Sequence, residues 1–197
     1  MTLLEAQQLL DNAECVATAD AVQAVVGRLA SDISHTLAGE FPLVLAVMGG
    51  AVVFAGQLLP RLNFPLEFDY LHVTRYRGST QGGEMEWRVL PGQNVVGRNV
   101  LVLDDILDEG ETLAAIRDKL LHMGATRVWS AVLTDKDNGL AKPVLGLHRG
   151  AIDAGLQHDR TCDLACVIRL ECLLADQRCR LPGIGIGGTG LRQACGR

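Results

Sequence analysis

Apolar and polar positions change their rhythm several times along the chain, and each change marks an element. Between Thr18 and Leu37, the residues Val22, Val25, Val26, Leu29 and Ile33 recur at helical spacing. They predict an amphipathic helix with Asp20 as its cap. Gly39 and Pro42 end it. LVLAVM (43–48) is a continuous apolar run, the mark of a strand covered on both faces. It leads into Gly49-Gly50, after which AVVFAGQLL (51–59) reads as a helix stopped near Pro60. FDYLHVT (68–74) mixes aromatic and β-branched residues and predicts a second strand. RYRGSTQGGEME (75–86) is a polar loop with three glycines, and WRVL (87–90) with the turn Pro91-Gly92 reads as a hairpin arm.

VLVLDD (100–105) is the third buried strand. A helix starts at Thr112, carries Leu113, Ile116, Leu120 and Met123 on one face, and closes at Gly124. RVWSAVLT (127–134) supplies the next strand. Strands alternating with helices over short connections predict an α/β fold, a parallel twisted sheet flanked by helices. Ligands of such sheets gather beyond the carboxyl ends of the strands. Gly49-Gly50, DDILDEGET (104–112) and Asp135-Lys136 all fall at that edge.

Composition narrows the class. A chain of 197 residues fits one α/β domain with a small appendage. Hydrophobic residues make up 48%, charged residues 21%, and the net charge is −5. This is the profile of a soluble globular protein, and its acidity argues against gripping nucleic acid through an overall field. No apolar run reaches the about 18 residues of a membrane span, and MTLLEAQQLLD lacks the basic-then-apolar order of a secretion signal. The cytoplasm is the expected compartment. Of six cysteines, five (Cys162, Cys166, Cys172, Cys179, Cys195) lie in the last 36 residues and Cys15 stands apart. With no C-x2-C pair, and His158, just before that stretch, the nearest histidine, reduced thiols are favoured over a zinc site.

The acidic segment is where chemistry concentrates. One aspartate before a helix is an ordinary cap, but two adjacent ones repel unless a cation, hydroxyl donors or water take up the charge. Asp108, Glu109 and Glu111 add three more carboxylates around Gly110. A glycine allows a tight turn, and the free N–H groups of the following helix, with the Thr112 hydroxyl, form an anion cradle. Such a loop suits a phosphate monoester. Asp104 and Asp105 suit diol hydroxyls and, through water, Mg²⁺. A sugar phosphate bearing a diol and a metal meets both needs. The chain has no G-x-x-x-x-G-K-[ST], and no G-x-G-x-x-G opens its first helix, which disfavours a nucleoside triphosphatase or a dinucleotide enzyme.

VLVLDDILDEGETL (100–113) closely resembles the signature by which type I phosphoribosyltransferases bind phosphoribosyl pyrophosphate. AVMGGAVVFAGQLL (46–59) resembles the pyrophosphate loop of the hypoxanthine-guanine branch, and FDYLHVTRYRGSTQGGE (68–84) its flexible catalytic loop. The lysine of TDK (134–136) stands where that branch has its purine-recognition lysine. The match runs in order over residues 40 to 143.

The resemblance implies a purine-salvage transferase, moving the phosphoribosyl group to hypoxanthine or guanine and giving IMP or GMP and pyrophosphate. In that reading Asp104 and Asp105 meet the ribose hydroxyls and help hold Mg²⁺. Residues Asp108, Glu109, Gly110, Glu111 and Thr112 cradle the 5′-phosphate. Asp108 is the catalytic carboxylate facing N7 of the purine, and Lys136 donates to its 6-oxo group. Gly49 and Gly50 let pyrophosphate approach the backbone. Tyr76 and Arg77 close over the transition state. Self-association as a homodimer or homotetramer is the family's habit.

Some positions depart from the family pattern. Arg75-Tyr76 stands where Ser-Tyr is usual, and Glu109 replaces a threonine, so its side chain is expected to point away from phosphate. After Pro143 the agreement ends: no Phe, Tyr or Trp follows Trp129, and seven arginines crowd the stretch from Arg149 onward. The expected division is therefore a transferase core over residues 1–143, including the N-terminal helical part of a small, irregular hood, and a divergent segment over 144–197. That segment reads as a divergent hood, a poorly ordered appendage or the product of a frame change. Two rival functions stand beside the first. One is a non-catalytic regulator on the same fold, which the acidity and the presence of Asp108 disfavour. The other is a sister transferase preferring xanthine or another base.

Overall fold

The computed structural model describes residues 2–13, 17–75, 85–92, 94–136, 143 and 147–153. Five apolar residues in a row offer water no face, and β1 (Leu43–Val47) is accordingly buried along its whole length. It sits inside a sheet with β2 (Glu67–Arg75), β3 (Met85–Val89), β4 (Asn99–Leu107), β5 (Arg127–Asp135) and β6 (Leu147–Asp153). The spatial order is β3-β2-β1-β4-β5-β6. β1 lies parallel to both β2 and β4, and β4, β5 and β6 continue in parallel. Only β3 runs antiparallel, against β2, as the predicted hairpin arm.

The described residues also form four α-helices: α1 (Leu3–Asp11), α2 (Ala19–Leu37), α3 (Ala51–Leu58) and α4 (Glu111–His122). The predicted periodicity of α2 is its buried stripe, Val22, Val25, Val26, Leu29, Ala30, Ile33 and Leu37. Asp20 is not the cap; it lies inside the first turn, where a negative charge still complements the helix dipole. α3 ends before a short 3₁₀ turn, Leu59–Arg61, that accommodates Pro60.

Strand alternation assigns the core to two faces. Leu43, Leu45 and Val47 of β1 and Val100 and Val102 of β4 pack with Leu113, Ile116 and Leu120 of α4. The alternate residues Val44, Ala46, Leu101 and Leu103 are buried on the opposite side, where α3 crosses β1 and β4 with Phe54 and Leu58 inward. At the amino ends of the strands, Arg98 donates to Glu67 at 2.5 Å, and its guanidinium lies 5.1 Å from the Phe41 ring centre. That clasp ties one edge of the sheet. The carboxyl edge is left to the site.

β6 was not foreseen from the sequence. LHRGAID lacks apolar alternation, but its backbone extends the ladder from Ser130 opposite Leu147 to Asp135 opposite Asp153. An edge strand needs backbone partners more than apolar side chains. The sheet therefore continues past residue 143, and residues 154–197, with their five cysteines and the GIGIGGTG stretch, lie outside the described residues. Cys15 lies outside them too.

The chain divides into two compact units, Asp20–Gln157, which holds the sheet, and Met1–Ala19 with His158–Arg197. The described part of the second is α1. A capping box starts it: Glu5 N–H donates to Thr2 Oγ1 at 3.3 Å and Thr2 N–H donates to Glu5 Oε2 at 2.6 Å. Among the described residues no helix is long and apolar enough to cross a membrane.

Candidate functional site

The direction of winding reverses at β1. β2 lies on one side of it and β4 on the other, so a crevice opens between the carboxyl ends of β1 and β4. Three of the sequence-predicted groups meet near that edge: the Gly49-Gly50 turn after β1, the acidic segment of β4, and Lys136 after β5.

The strand expected over 100–105 does not end at Asp104 and Asp105. They are part of it: β4 continues to Leu107, and Asp104 is paired with Val132 of β5. Parallel pairing with β5 carries the backbone through the acidic pair, which fixes both carboxyls on a rigid element. Asp105 N–H donates to Asp104 Oδ1 at 3.0 Å. Burial, then the Asp105 charge and a side-chain hydrogen bond with Asp105, holds the Asp104 carboxyl well above the usual carboxylate range, and the Asp105 N–H opposes them. Two acids so close repel unless a cation, hydroxyl donors or water take up the charge. Among the described residues no group of three His, Cys, Asp or Glu side chains forms a metal cage. Paired carboxylates fit Mg²⁺ nonetheless, because that ion takes one or two protein carboxylates and completes its shell with water and substrate phosphate.

Beyond Leu107 the chain bends through Asp108, Glu109 and Gly110 into α4. Gly110 is the N-cap residue, at φ 83° and ψ −3°, with no side chain to cap the helix. The first N–H groups of a helix have no partner inside it, and a helix start of this kind suits an anion. Thr112 is half-buried beside them, whereas Glu109 and Glu111 are exposed. Gly110→Ala puts a Cβ into left-handed backbone and costs about 1–2 kcal/mol there, partly offset by a stiffer unfolded chain. We expect a melting temperature lower by about 2–4 °C for each kcal/mol lost, measured by calorimetric scanning.

Lys136 is buried, 7% exposed, at the end of β5. Its N–H donates to Leu107 O at 3.0 Å, which holds the lysine beside the end of β4. Its Nζ stands 3.3 Å from Asp108 Oδ1. A cationic donor and an anionic acceptor thus share one spot next to the phosphate-type loop. Gly50, on the other side, packs against the Asp105 carboxylate. The Met48–Gly49 peptide is cis. Tyr76 and Arg77 lie outside the described residues.

Neither of these side-chain meetings was legible beforehand. Lys136 and Asp108, like Gly50 and Asp105, are distant in sequence and become neighbours only through the strand order. One signal did point there: each lies within a few residues of a strand's carboxyl end.

The family model of the phosphoribosyl transferase domain matches residues 12–150. A hypoxanthine-guanine phosphoribosyltransferase of Streptococcus thermophilus is 34% identical over 112 residues, which span 56% of this chain and 62% of that protein. The chain thus matches under two thirds of the length of that relative. Among solved structures, a hypoxanthine phosphoribosyltransferase of Staphylococcus aureus superposes with a TM-score of 0.61 at 24% identity, covering 68% of this chain and 76% of that one. A hypoxanthine-guanine phosphoribosyltransferase of Bacillus anthracis gives a TM-score of 0.60 at 26% identity, covering 69% and 83%.

Proposed function

The chain belongs to the phosphoribosyl transferase domain family, and from that premise we propose that it transfers the phosphoribosyl group of phosphoribosyl pyrophosphate to hypoxanthine or guanine. One observation carries the choice of base: a buried lysine ammonium and a carboxylate 3.3 Å apart, beside the phosphate-type loop. Guanine and hypoxanthine carry N7 and the 6-oxo group side by side on one edge. Lys136 Nζ donates to the oxo group while Asp108 accepts the proton of N7. Adenine offers an amino group instead, which leaves the ammonium without an acceptor, and an unpaired buried group is a strong basis for rejection.

The other residues divide the donor between them. The Asp104 and Asp105 carboxylates bind the ribose hydroxyls and hold Mg²⁺ through oxygen. Bound there, the ion offsets the charge of the departing pyrophosphate. The N–H groups at the start of α4 and the Thr112 hydroxyl hold the 5′-phosphate, and the left-handed turn at Gly110 aims them. Gly49 borders the pyrophosphate. As the C–O bond to pyrophosphate lengthens, the sugar becomes cationic, and Asp108 steadies that charge while it takes the N7 proton. Closure by Tyr76 and Arg77, a cytoplasmic setting and self-association into dimers or tetramers belong to the same proposal.

Initial rates with phosphoribosyl pyrophosphate and Mg²⁺ across hypoxanthine, guanine, xanthine and adenine test it. Turnover with the first two and only a slight background rate with adenine is the expected pattern. A preference for xanthine indicates the sister transferase, and tight donor binding without turnover on any base indicates the regulator. Lys136→Met sharpens the test. Its kcat/KM for hypoxanthine is expected to fall by about 10–100-fold, the worth of a hydrogen bond to a charged group. Its background rate with adenine should not fall with it. Equal losses on both bases would assign Lys136 to folding alone.

A further inference from the structure

A glycine can be required by its backbone angles or by the space beside it. Gly50 has φ −62° and ψ −45°, ordinary right-handed values that any L residue adopts, so its conformation does not call for glycine. Its surroundings do. A Cβ built on Gly50 lies 2.5 Å from Asp105 Oδ1, 2.7 Å from Asp105 Cγ and 2.8 Å from Asp105 Oδ2. All three nearest atoms belong to one carboxylate. The neighbouring Gly49 has nothing within 4 Å of the same position.

The location gives the contact a purpose. Gly50 is the N-cap residue of α3 and makes no side-chain cap bond. The Asp105 carboxylate lies against it, at the end of the helix where N–H groups and the dipole attract an anion. On its other side Asp105 adjoins Asp104, which is packed into the sheet. One member of the acidic pair is therefore lodged in a recess that exists only because residue 50 lacks a side chain.

We propose that Gly50 is a positioning residue that acts through Asp105: its missing side chain is the seat that orients this carboxylate toward the sugar donor. The inference rests on the function proposed above and changes one assignment within it. Close approach of pyrophosphate falls to Gly49, whose side is open, and Gly50 serves the ribose and metal end instead. The seat also joins the β1–α3 turn to β4 across the crevice, so both ends of the donor are held by one connected unit.

A double-mutant cycle over wild type, Gly50→Ala, Asp105→Ala and the double variant tests this, with Gly56→Ala as the control for an alanine in α3. Gly56 is exposed with nothing within 4 Å, and its variant should bind the donor as wild type does and melt no lower. Asp105→Ala deletes all three atoms that crowd the new methyl group. Calorimetry with phosphoribosyl pyrophosphate and Mg²⁺ should show Gly50→Ala weakening the donor about tenfold or more, as misplacement of a positioned group does. KM for the base should stay within about twofold, a split that general damage to the fold does not produce. In the Asp105→Ala background the same substitution should change donor affinity by under about twofold, since contacting residues are non-additive.

Melting temperatures run in parallel, with a loss on Gly50→Ala that the double variant recovers. Equal losses of donor affinity in both backgrounds overturn the proposal, because Gly50 then acts on the ligand directly or on the fold. A wild type that binds no donor overturns the proposed function, and Gly50 then orients nothing for a donor. The melting cycle still distinguishes that case: recovery retains the seat as a packing contact, and equal melting losses remove it as well.

Discussion

Asp108→Asn is expected to lower kcat with hypoxanthine by about 10²–10⁴-fold, the usual contribution of a positioned acid or base. The amide keeps the shape of the carboxyl but accepts no proton and carries no charge to steady the sugar cation. KM for phosphoribosyl pyrophosphate should move little, because the ribose and phosphate contacts are made by Asp104, Asp105 and the start of α4. The fold should survive. Asp108 is 42% exposed on its side chain, so losing its pair with the buried Lys136 costs about 1 kcal/mol after solvent screening. Steady-state kinetics and a melting curve on one sample separate the two effects. An unchanged kcat would remove Asp108 from the chemistry.

Asp104→Asn is expected to separate function from stability. Donor affinity should fall by about 10–100-fold, because a charged acceptor for the ribose hydroxyls and the ion is gone. Stability of the ligand-free protein should rise. Burial and the Asp105 charge hold the Asp104 carboxyl well above its ordinary value near 3.8, so the folded protein keeps that proton to higher pH than the unfolded chain does. A raised carboxyl favours folding while it is protonated, and that advantage is lost as pH rises through its folded value. At neutral pH the wild type therefore bears a cost that asparagine lacks. The variant should melt higher than wild type near pH 7, and the difference should vanish near pH 4. A variant less stable than wild type at pH 7 would contradict this account of Asp104. Sites that hold like charges together commonly trade stability for binding.

The parts of the fold with strong local pattern were legible in the sequence. β1 is a continuous apolar run, β4 opens as one, and α2 and α4 repeat their apolar residues at helical spacing, so burial dictated the type of each. β6 was illegible because pairing with β5, rather than its own residues, makes it a strand. The acidic pair was placed in the strand, as the structure has it, but the strand's end was not. Aspartate is a poor strand residue, so the strand looked finished at Asp105, yet pairing with β5 carries it to Leu107.

Site contacts followed the same division. The left-handed residue before α4 was foreseeable from the lone glycine in DEGET. The seat of Asp105 was not, since Gly-Gly after a strand reads equally as a turn or as room for a ligand. Lys136 was an isolated cation in the sequence and gained its partner only when β4 and β5 aligned.

Titration calorimetry of the wild-type protein with phosphoribosyl pyrophosphate, with and without Mg²⁺, tests the central claim most directly. The account predicts saturable one-site heat with Mg²⁺, much weaker binding without it, and loss of the signal in Asp104→Asn. A well-folded sample that gives no heat with the donor and Mg²⁺, or gives the same heat when Asp104 is replaced, would contradict it.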